Sequence, residues 1–240
     1  MNYFNYFTEI EDHFVRRRGK HLFVSPMDWS LIATWRDSGI PLHVAMRGID
    51  IAMDSFFSKP NRRGTVNSLF YCHETVMEEY ERHLESHVGE EAKPDEKKSA
   101  SGAEEGPDKD TVKKFLTARI SEIKSLPAKL LGQQSGTLVE AVDRVLSRLE
   151  EIAKDLADTV RVNLESLDRD LAILDDVLTT ELRTAVTPEQ MREWEEEAKK
   201  ELKIYRKRLP KETYKKILEN FLRGKIHRLF DLGELSLFHL

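Results

Sequence analysis

Residues 142–178 read VDRVLSRLEEIAKDLADTVRVNLESLDRDLAILDDVL, and apolar side chains recur along them in steps of three and four. Such steps average 3.5 residues, which is typical of helices that pack on other helices. The apolar positions form two sets: Val142, Leu146, Leu149, Ala153, Leu156 and Val160, then Leu164, Leu167, Leu171, Leu174 and Leu178. Their phase shifts within the β-branched stretch 158–163. We therefore favour two antiparallel helices over a single rod for residues 137–185.

The remainder of the chain also carries helix signals. Ser25-Pro26 with Asp28, and Thr187-Pro188 with Gln190, place a capping side chain before a proline that starts a helix. The 240 residues include only 11 Gly and 8 Pro, which is too few for the frequent turns of a sandwich or barrel. The sequence therefore predicts an all-α fold.

A polar stretch divides the predicted helices into two blocks. From His87 to Asp110 the sequence reads HVGEEAKPDEKKSASGAEEGPDKD, and after Val88 it has no bulky apolar side chain to bury. We expect a compact N-terminal four-helix module (1–87), a flexible polar linker (88–110) and a C-terminal helical bundle or coiled-coil-like domain (111–240). The apolar tail, residues 235–240, should dock on one of the two blocks.

Composition limits where the protein works. Cys72 is the only cysteine, so an intramolecular disulfide is impossible. The aromatic N-terminus lacks the basic region of a signal peptide, and no stretch approaches the roughly 20 apolar residues of a membrane span. We expect a cytoplasmic protein without a membrane partner.

Charge is unevenly distributed along the chain. The formal net charge is −5, yet residues 199–228 contain twelve Lys/Arg against three Glu, which leaves about −14 for all other residues. Candidate contacts to nucleic acid or an acidic partner are Lys199, Lys203, Arg206, Lys207, Lys215, Lys216, Arg223 and Arg228. The alternative is that these cations pair within the chain, with the acidic turn 193–197 and the acidic helices.

Sites for chemistry are few. Glu79, His83 and His87 share one helix face and are weak candidates for a metal site, but no second pair of ligands accompanies them, and a solvated face explains them better. Cys72 and His73 would point about 100° apart on a helix, so Cys72 reads as a core residue. The acidic pair Asp175-Asp176 and the run 193–197 read as exposed helix faces. No Gly-rich phosphate loop occurs in the sequence. We therefore expect that the protein binds no cofactor and is not an enzyme. The remaining alternative is a metal-dependent enzyme.

Residues 24–80 resemble the helical C-terminal domain of DnaD-type replication-initiation proteins. The matching positions are Ser25-Pro26, Asp28, Ile32, Trp35, Asp37, Gly39-Ile40, Val44, Ile49 and Ala52, followed by Tyr71, Val76 and Tyr80. The resemblance implies contacts with DNA and with a helicase, and hence a role in replication or in the nucleoid. It covers about a quarter of the chain.

Together these features indicate a helical interaction or adaptor protein. One form of this hypothesis is a protein that associates with DNA. Trp29, Trp35 and Arg47 are the candidate protein contacts in the N-terminal block. The competing hypothesis is a scaffold or subunit of a larger complex that binds only proteins and uses its helical bundle for assembly. Homo-oligomers fit either hypothesis, because heptads can be satisfied within a chain or between chains.

Overall fold

The computed structural model describes residues 5–19, 24–59, 64–87, 107–129, 136–158 and 163–239. These residues form nine α-helices and no strand, which confirms the all-α prediction. The helices are α1 (Tyr6–Arg18), α2 (Pro26–Asp37), α3 (Leu42–Phe57), α4 (His73–His87), α5 (Lys109–Lys129), α6 (Gly136–Asp158), α7 (Leu164–Ala185), α8 (Pro188–Leu202) and α9 (Lys211–Leu229). In this described part no helix is long and apolar enough to cross a membrane.

The contacts divide the chain into two compact units. The N-terminal unit comprises Met1–Glu104 and Lys200–Asn220, and the C-terminal unit comprises Glu105–Lys199 and Phe221–Leu240. This division differs from the predicted one because residues 200–220 go with the N-terminal unit. Most of the predicted linker, residues 88–106, lies outside the described residues; its last two residues already belong to α5.

From apolar spacing and prolines the sequence predicts helices over about 66–86, from about 111 to Pro127, and over 188–208, and the structure differs at one boundary of each. The helix expected from Val66 starts at His73, because Ser68 and Asp28 instead hold a short 3-10 turn at Leu69–Tyr71. Helix α5 does not stop at Pro127 but continues to Lys129, so the proline, which has no backbone N–H to donate, lies in the last turn of the helix. Helix α8 ends at Leu202 rather than Arg208, where bonds to the third preceding residue replace helical bonds.

The N-terminal unit is built on contacts of α3 with α1 and α4. Its core includes Tyr6, Phe14, Trp35 and Ile49, all fully buried. The turn after α2 is held by Gly39, whose φ of 76° suits a residue without a side chain, and the Tyr6 hydroxyl donates to Ile40 O at 3.0 Å.

In the C-terminal unit α6 packs on α5 and on α7, as the two-helix reading of residues 137–185 requires. Leu235, Ser236, Leu237 and Phe238, which belong to the tail that the sequence predicted to dock, are buried here. Backbone N–H groups of Leu235 and Leu237 donate to the α7 carboxylates of Asp175 (2.9 Å) and Asp168 (2.7 Å). The tail is thus fixed by main-chain hydrogen bonds as well as by its apolar side chains.

Candidate functional site

The basic stretch 199–228 separates into cations with acidic partners and cations without them. In the C-terminal unit Lys199 pairs with Glu195 (3.0 Å), Lys225 with Glu197 (2.6 Å) and Arg223 with Asp176 (2.9 Å). Arg228 donates through Nε to Gly224 O at 3.1 Å. For Lys199, Arg223 and Lys225 the alternative of pairing with acidic residues of the chain is correct, whereas Arg228 bonds a backbone carbonyl.

The cations of the N-terminal unit behave differently. Lys200 and seven further exposed side chains have no ion pair or hydrogen bond among the described residues; the seven are Lys203, Arg206, Lys207, Arg208, Lys211, Lys215 and Lys216. Residues 203–216, called here the basic segment, contain these seven cations and a single Glu, so their net charge is +6. The segment therefore concentrates positive charge that is not ion-paired with any described acidic side chain.

Aromatic and apolar contacts hold the basic segment on the N-terminal unit. The Tyr205 ring stacks on Phe70 with centroids 4.5 Å apart and planes 19° apart, and Leu209 is buried. Successive turns are closed by Tyr205 N to Leu202 O (3.0 Å) and Arg208 N to Tyr205 O (2.9 Å). Ile204 points away from these contacts and is 79% exposed.

Five of the eight cations proposed from sequence lie in the basic segment, and Lys199, Arg223 and Arg228 do not. The prediction omitted Arg208 and Lys211, although both belong to the same acid-free run, residues 202–211. That run is the sequence signal that could have selected Lys211, which has no acidic residue three or four positions away, whereas Arg208 has Glu212 four residues after it.

The predicted protein contacts in the N-terminal block occupy three different environments. Trp35 is fully buried and donates its Nε1 proton to His73 Nδ1 at 2.9 Å, so its choice as a surface contact was wrong. Trp29 is half-buried and stacks on Phe7 with centroids 5.3 Å apart. Arg47 is half exposed and lies 2.8 Å from Glu79, a buried carboxylate.

The weak metal candidates are not assembled into a site in the described residues. Glu79 is buried and ion-paired with Arg47 and Arg82, which satisfies its charge without a metal. The His83 ring meets His43 edge-on at 5.4 Å, and the side chain of His87 lies outside the described residues. No group of three His, Cys, Asp or Glu side chains is placed to hold a metal ion there.

Cys72 is buried, as its reading as a core residue requires. Burial, and then the charge of Asp28, raises the pKa of the Cys72 thiol to about 12. Because the thiolate is the reactive form, this cysteine is inert near neutral pH.

A buried polar cluster in the C-terminal unit escaped the sequence analysis. Asp175 is 3% exposed, which corrects its reading as an exposed face, whereas Asp176 is exposed. Thr179 Oγ1 lies 2.8 Å from His227 Nε2, and Asp175 Oδ1 lies 3.6 Å from the same nitrogen. A catalytic acid would instead bind the opposite ring nitrogen, so we assign this cluster to packing of α7, α9 and the tail.

His73 should make the N-terminal unit sensitive to acid. Burial lowers the pKa of His73 to about 4 from an ordinary value near 6.5, so between these pH values the unfolded chain binds the extra proton. The free energy of unfolding should therefore fall as pH drops through this window, by up to about 3 kcal/mol. Burial raises the pKa of Asp28. This shift makes the free energy of unfolding rise as pH drops, which opposes the effect of His73.

Urea unfolding of wild type and His73→Gln at about pH 7 and pH 4.5 isolates the histidine, because glutamine keeps an acceptor for Trp35. We expect the variant to lose less stability on acidification. Equal losses would assign the acid sensitivity to other groups.

Comparison with known proteins adds one match. A family model described only as an uncharacterised protein matches residues 5–92, which is less than half of the chain. The chain matches no curated protein and no solved structure. These findings do not relate it to DnaD-type proteins.

Proposed function

We propose that this chain is a non-enzymatic helical interaction protein that binds nucleic acid through its basic segment. The observation that carries the proposal is the set of seven exposed cations in residues 203–216 that lack an acidic partner among the described residues. The replication or nucleoid role rests separately on the resemblance of residues 24–80 to DnaD-type domains.

The cations of the basic segment are not compensated by acidic partners among the described residues. A Lys or Arg already paired with a carboxylate must lose that partner before it can bind a phosphate, whereas the cations of the basic segment need not. Each phosphate that they neutralise would release condensed counterions, so binding should be salt-dependent and largely independent of base sequence. The aromatic stack beneath the segment fixes its position on the N-terminal unit.

The proposal is tested with two triple variants of equal net charge. The first variant replaces Lys203, Lys207 and Lys215 with Gln and so removes three cations of the basic segment. The control, Lys113, Lys114 and Lys154→Gln, removes three exposed lysines of the C-terminal unit. Both change the formal charge from −5 to about −8.

Fluorescence anisotropy with labelled duplex and single-stranded DNA at about 50 mM salt should show a loss of affinity of about tenfold or more for the first variant. We expect the control to bind within about twofold of wild type. Absence of binding by wild type, or equal loss in both variants, would contradict the proposal.

The second candidate function, a scaffold that binds only proteins, has its own support. Ile173 and Val177 lie one turn apart on α7 and are 59% and 38% exposed. Two aliphatic side chains on an outer helix face suit a partner helix. Co-purification from the native host separates the two functions, through recovery of nucleic acid or of one stoichiometric protein.

A further inference from the structure

A small cleft in the N-terminal unit opens beside the basic segment. It is lined by His73 and Glu74 at the start of α4 and by Tyr205 and Arg208 of the segment, with Phe70 and Leu209. Its empty space is about 310 Å³ with the open solvent at its mouth included. The enclosed part is therefore smaller than the pockets of about 300–1,000 Å³ that bury a whole small molecule. A single chemical group is the ligand that fits this size.

His73 supplies the cleft with a fixed hydrogen-bond donor. The indole N–H of Trp35 can only donate, so His73 Nδ1 must accept, and the proton of the neutral ring lies on Nε2. Burial, which lowers the pKa of His73 to about 4, keeps the ring neutral at pH 7. The side chain is 5% exposed, and Nε2 has no hydrogen-bond partner among the described residues. This N–H is therefore free to donate to a water molecule or to a ligand.

The charged residues of the cleft indicate which acceptor. Arg208 presents a guanidinium that has no acidic partner among the described residues, and a guanidinium suits the paired oxygens of a phosphate. Glu74 brings the one carboxylate of the lining, and it opposes an anion. A phosphate oxygen can accept hydrogen bonds from both a neutral N–H and a cation. A positively charged ligand, by contrast, would have only Glu74 as a favourable partner in the cleft.

We propose that the cleft binds one phosphodiester of a nucleic-acid strand, with the His73 Nε2 proton and the Arg208 guanidinium as its donors. This inference rests on the proposed function and makes it more specific. It separates Arg208 from the other cations of the basic segment, which contact phosphates without a built site. It also predicts the direction in which Glu74 affects affinity: removal of its negative charge should strengthen binding.

The test uses the full chain, a labelled single-stranded oligonucleotide and three single variants. Arg208→Ala should lose about five- to tenfold in affinity, and its matched control Arg206→Ala, an exposed arginine of the same segment outside the cleft, about twofold. Glu74→Gln should gain about two- to fivefold. If Arg208→Ala and Arg206→Ala lose equally and Glu74→Gln changes nothing, the cleft is not the site, although the basic segment still binds.

A second readout needs no variant. In nitrogen–proton NMR spectra the indole signal of Trp35 reports on its bond to His73, and Trp29 and Trp194 serve as references within the chain. The oligonucleotide, and inorganic phosphate at higher concentration, should both move the Trp35 signal more than the other two. Movement with phosphate but without DNA binding would leave an anion site and overturn the nucleic-acid assignment. Binding of DNA without movement of Trp35 would overturn the cleft.

Discussion

Replacement of Gly48 by alanine should destabilise the N-terminal unit by about 2–3 kcal/mol. Gly48 lies where α3 crosses α4, and a Cβ there would be 2.6 Å from the Val76 Cα and 2.8 Å from its Cγ2. The nearest atom is backbone, so the clash can be relieved only if the two helices separate. That cost exceeds the gain of up to about 1 kcal/mol that alanine brings to a helix interior.

Gly224 provides the matched control for this prediction. It is also inside a helix, α9, but a Cβ there would meet only the end of the Arg228 side chain at 3.9 Å. Gly224→Ala should therefore stabilise by about 0.5–1 kcal/mol. Urea unfolding of both variants measures whether each substitution raises or lowers the free energy of unfolding. A neutral or stabilising Gly48→Ala would contradict the close packing of α3 on α4.

Replacement of Asp28 by alanine should cost about 3–5 kcal/mol. Asp28 is 1% exposed, and its carboxylate accepts from the Ser25 backbone N–H (3.3 Å) and hydroxyl (2.9 Å). It also accepts from the Ser68 hydroxyl (2.6 Å) and from Leu69 N–H (2.9 Å). The substitution would leave several buried donors unsatisfied, at about 1–3 kcal/mol each, and would free the turn before α4.

The capping box at the start of α8 is the control for Asp28. Thr187 and Gln190 make the same reciprocal bonds as Ser25 and Asp28 do, but both side chains are at the surface. Gln190→Ala should cost no more than about 1 kcal/mol, because water can replace the lost acceptor. Similar losses for Asp28→Ala and Gln190→Ala in thermal unfolding would mean that Asp28 only caps its own helix.

These two boxes show which part of the fold can be predicted from sequence. A capping box joins residues three apart, so both boxes, and with them the starts of α2 and α8, follow from the sequence. The bonds that Asp28 accepts from Ser68 and Leu69 span 40 and 41 residues and leave no local pattern. The short turn that replaces the first part of the predicted fourth helix depends on them, so that boundary was missed.

The candidate site divides in the same way. The excess of Lys and Arg is visible in the sequence, but its division into paired and unpaired cations is not. Arg223 pairs with Asp176, which is 47 residues away in the sequence, whereas Lys199 pairs with Glu195 one helical turn away. Asp175 looks like its exposed neighbour Asp176 until Leu235, 60 residues away, donates its backbone N–H to it. Only packing reveals such partners.

The salt dependence of DNA binding measures whether the basic segment contacts phosphates. The association constant of wild type and of the Lys203, Lys207 and Lys215→Gln variant is measured from about 50 to 200 mM salt. If the three lysines neutralise phosphates, the logarithmic slope of wild type should be steeper by about 2–3, at roughly 0.9 per duplex phosphate. The control with Lys113, Lys114 and Lys154→Gln should keep the wild-type slope. Equal slopes for wild type and the basic-segment variant, or no binding at about 50 mM salt, would contradict the account.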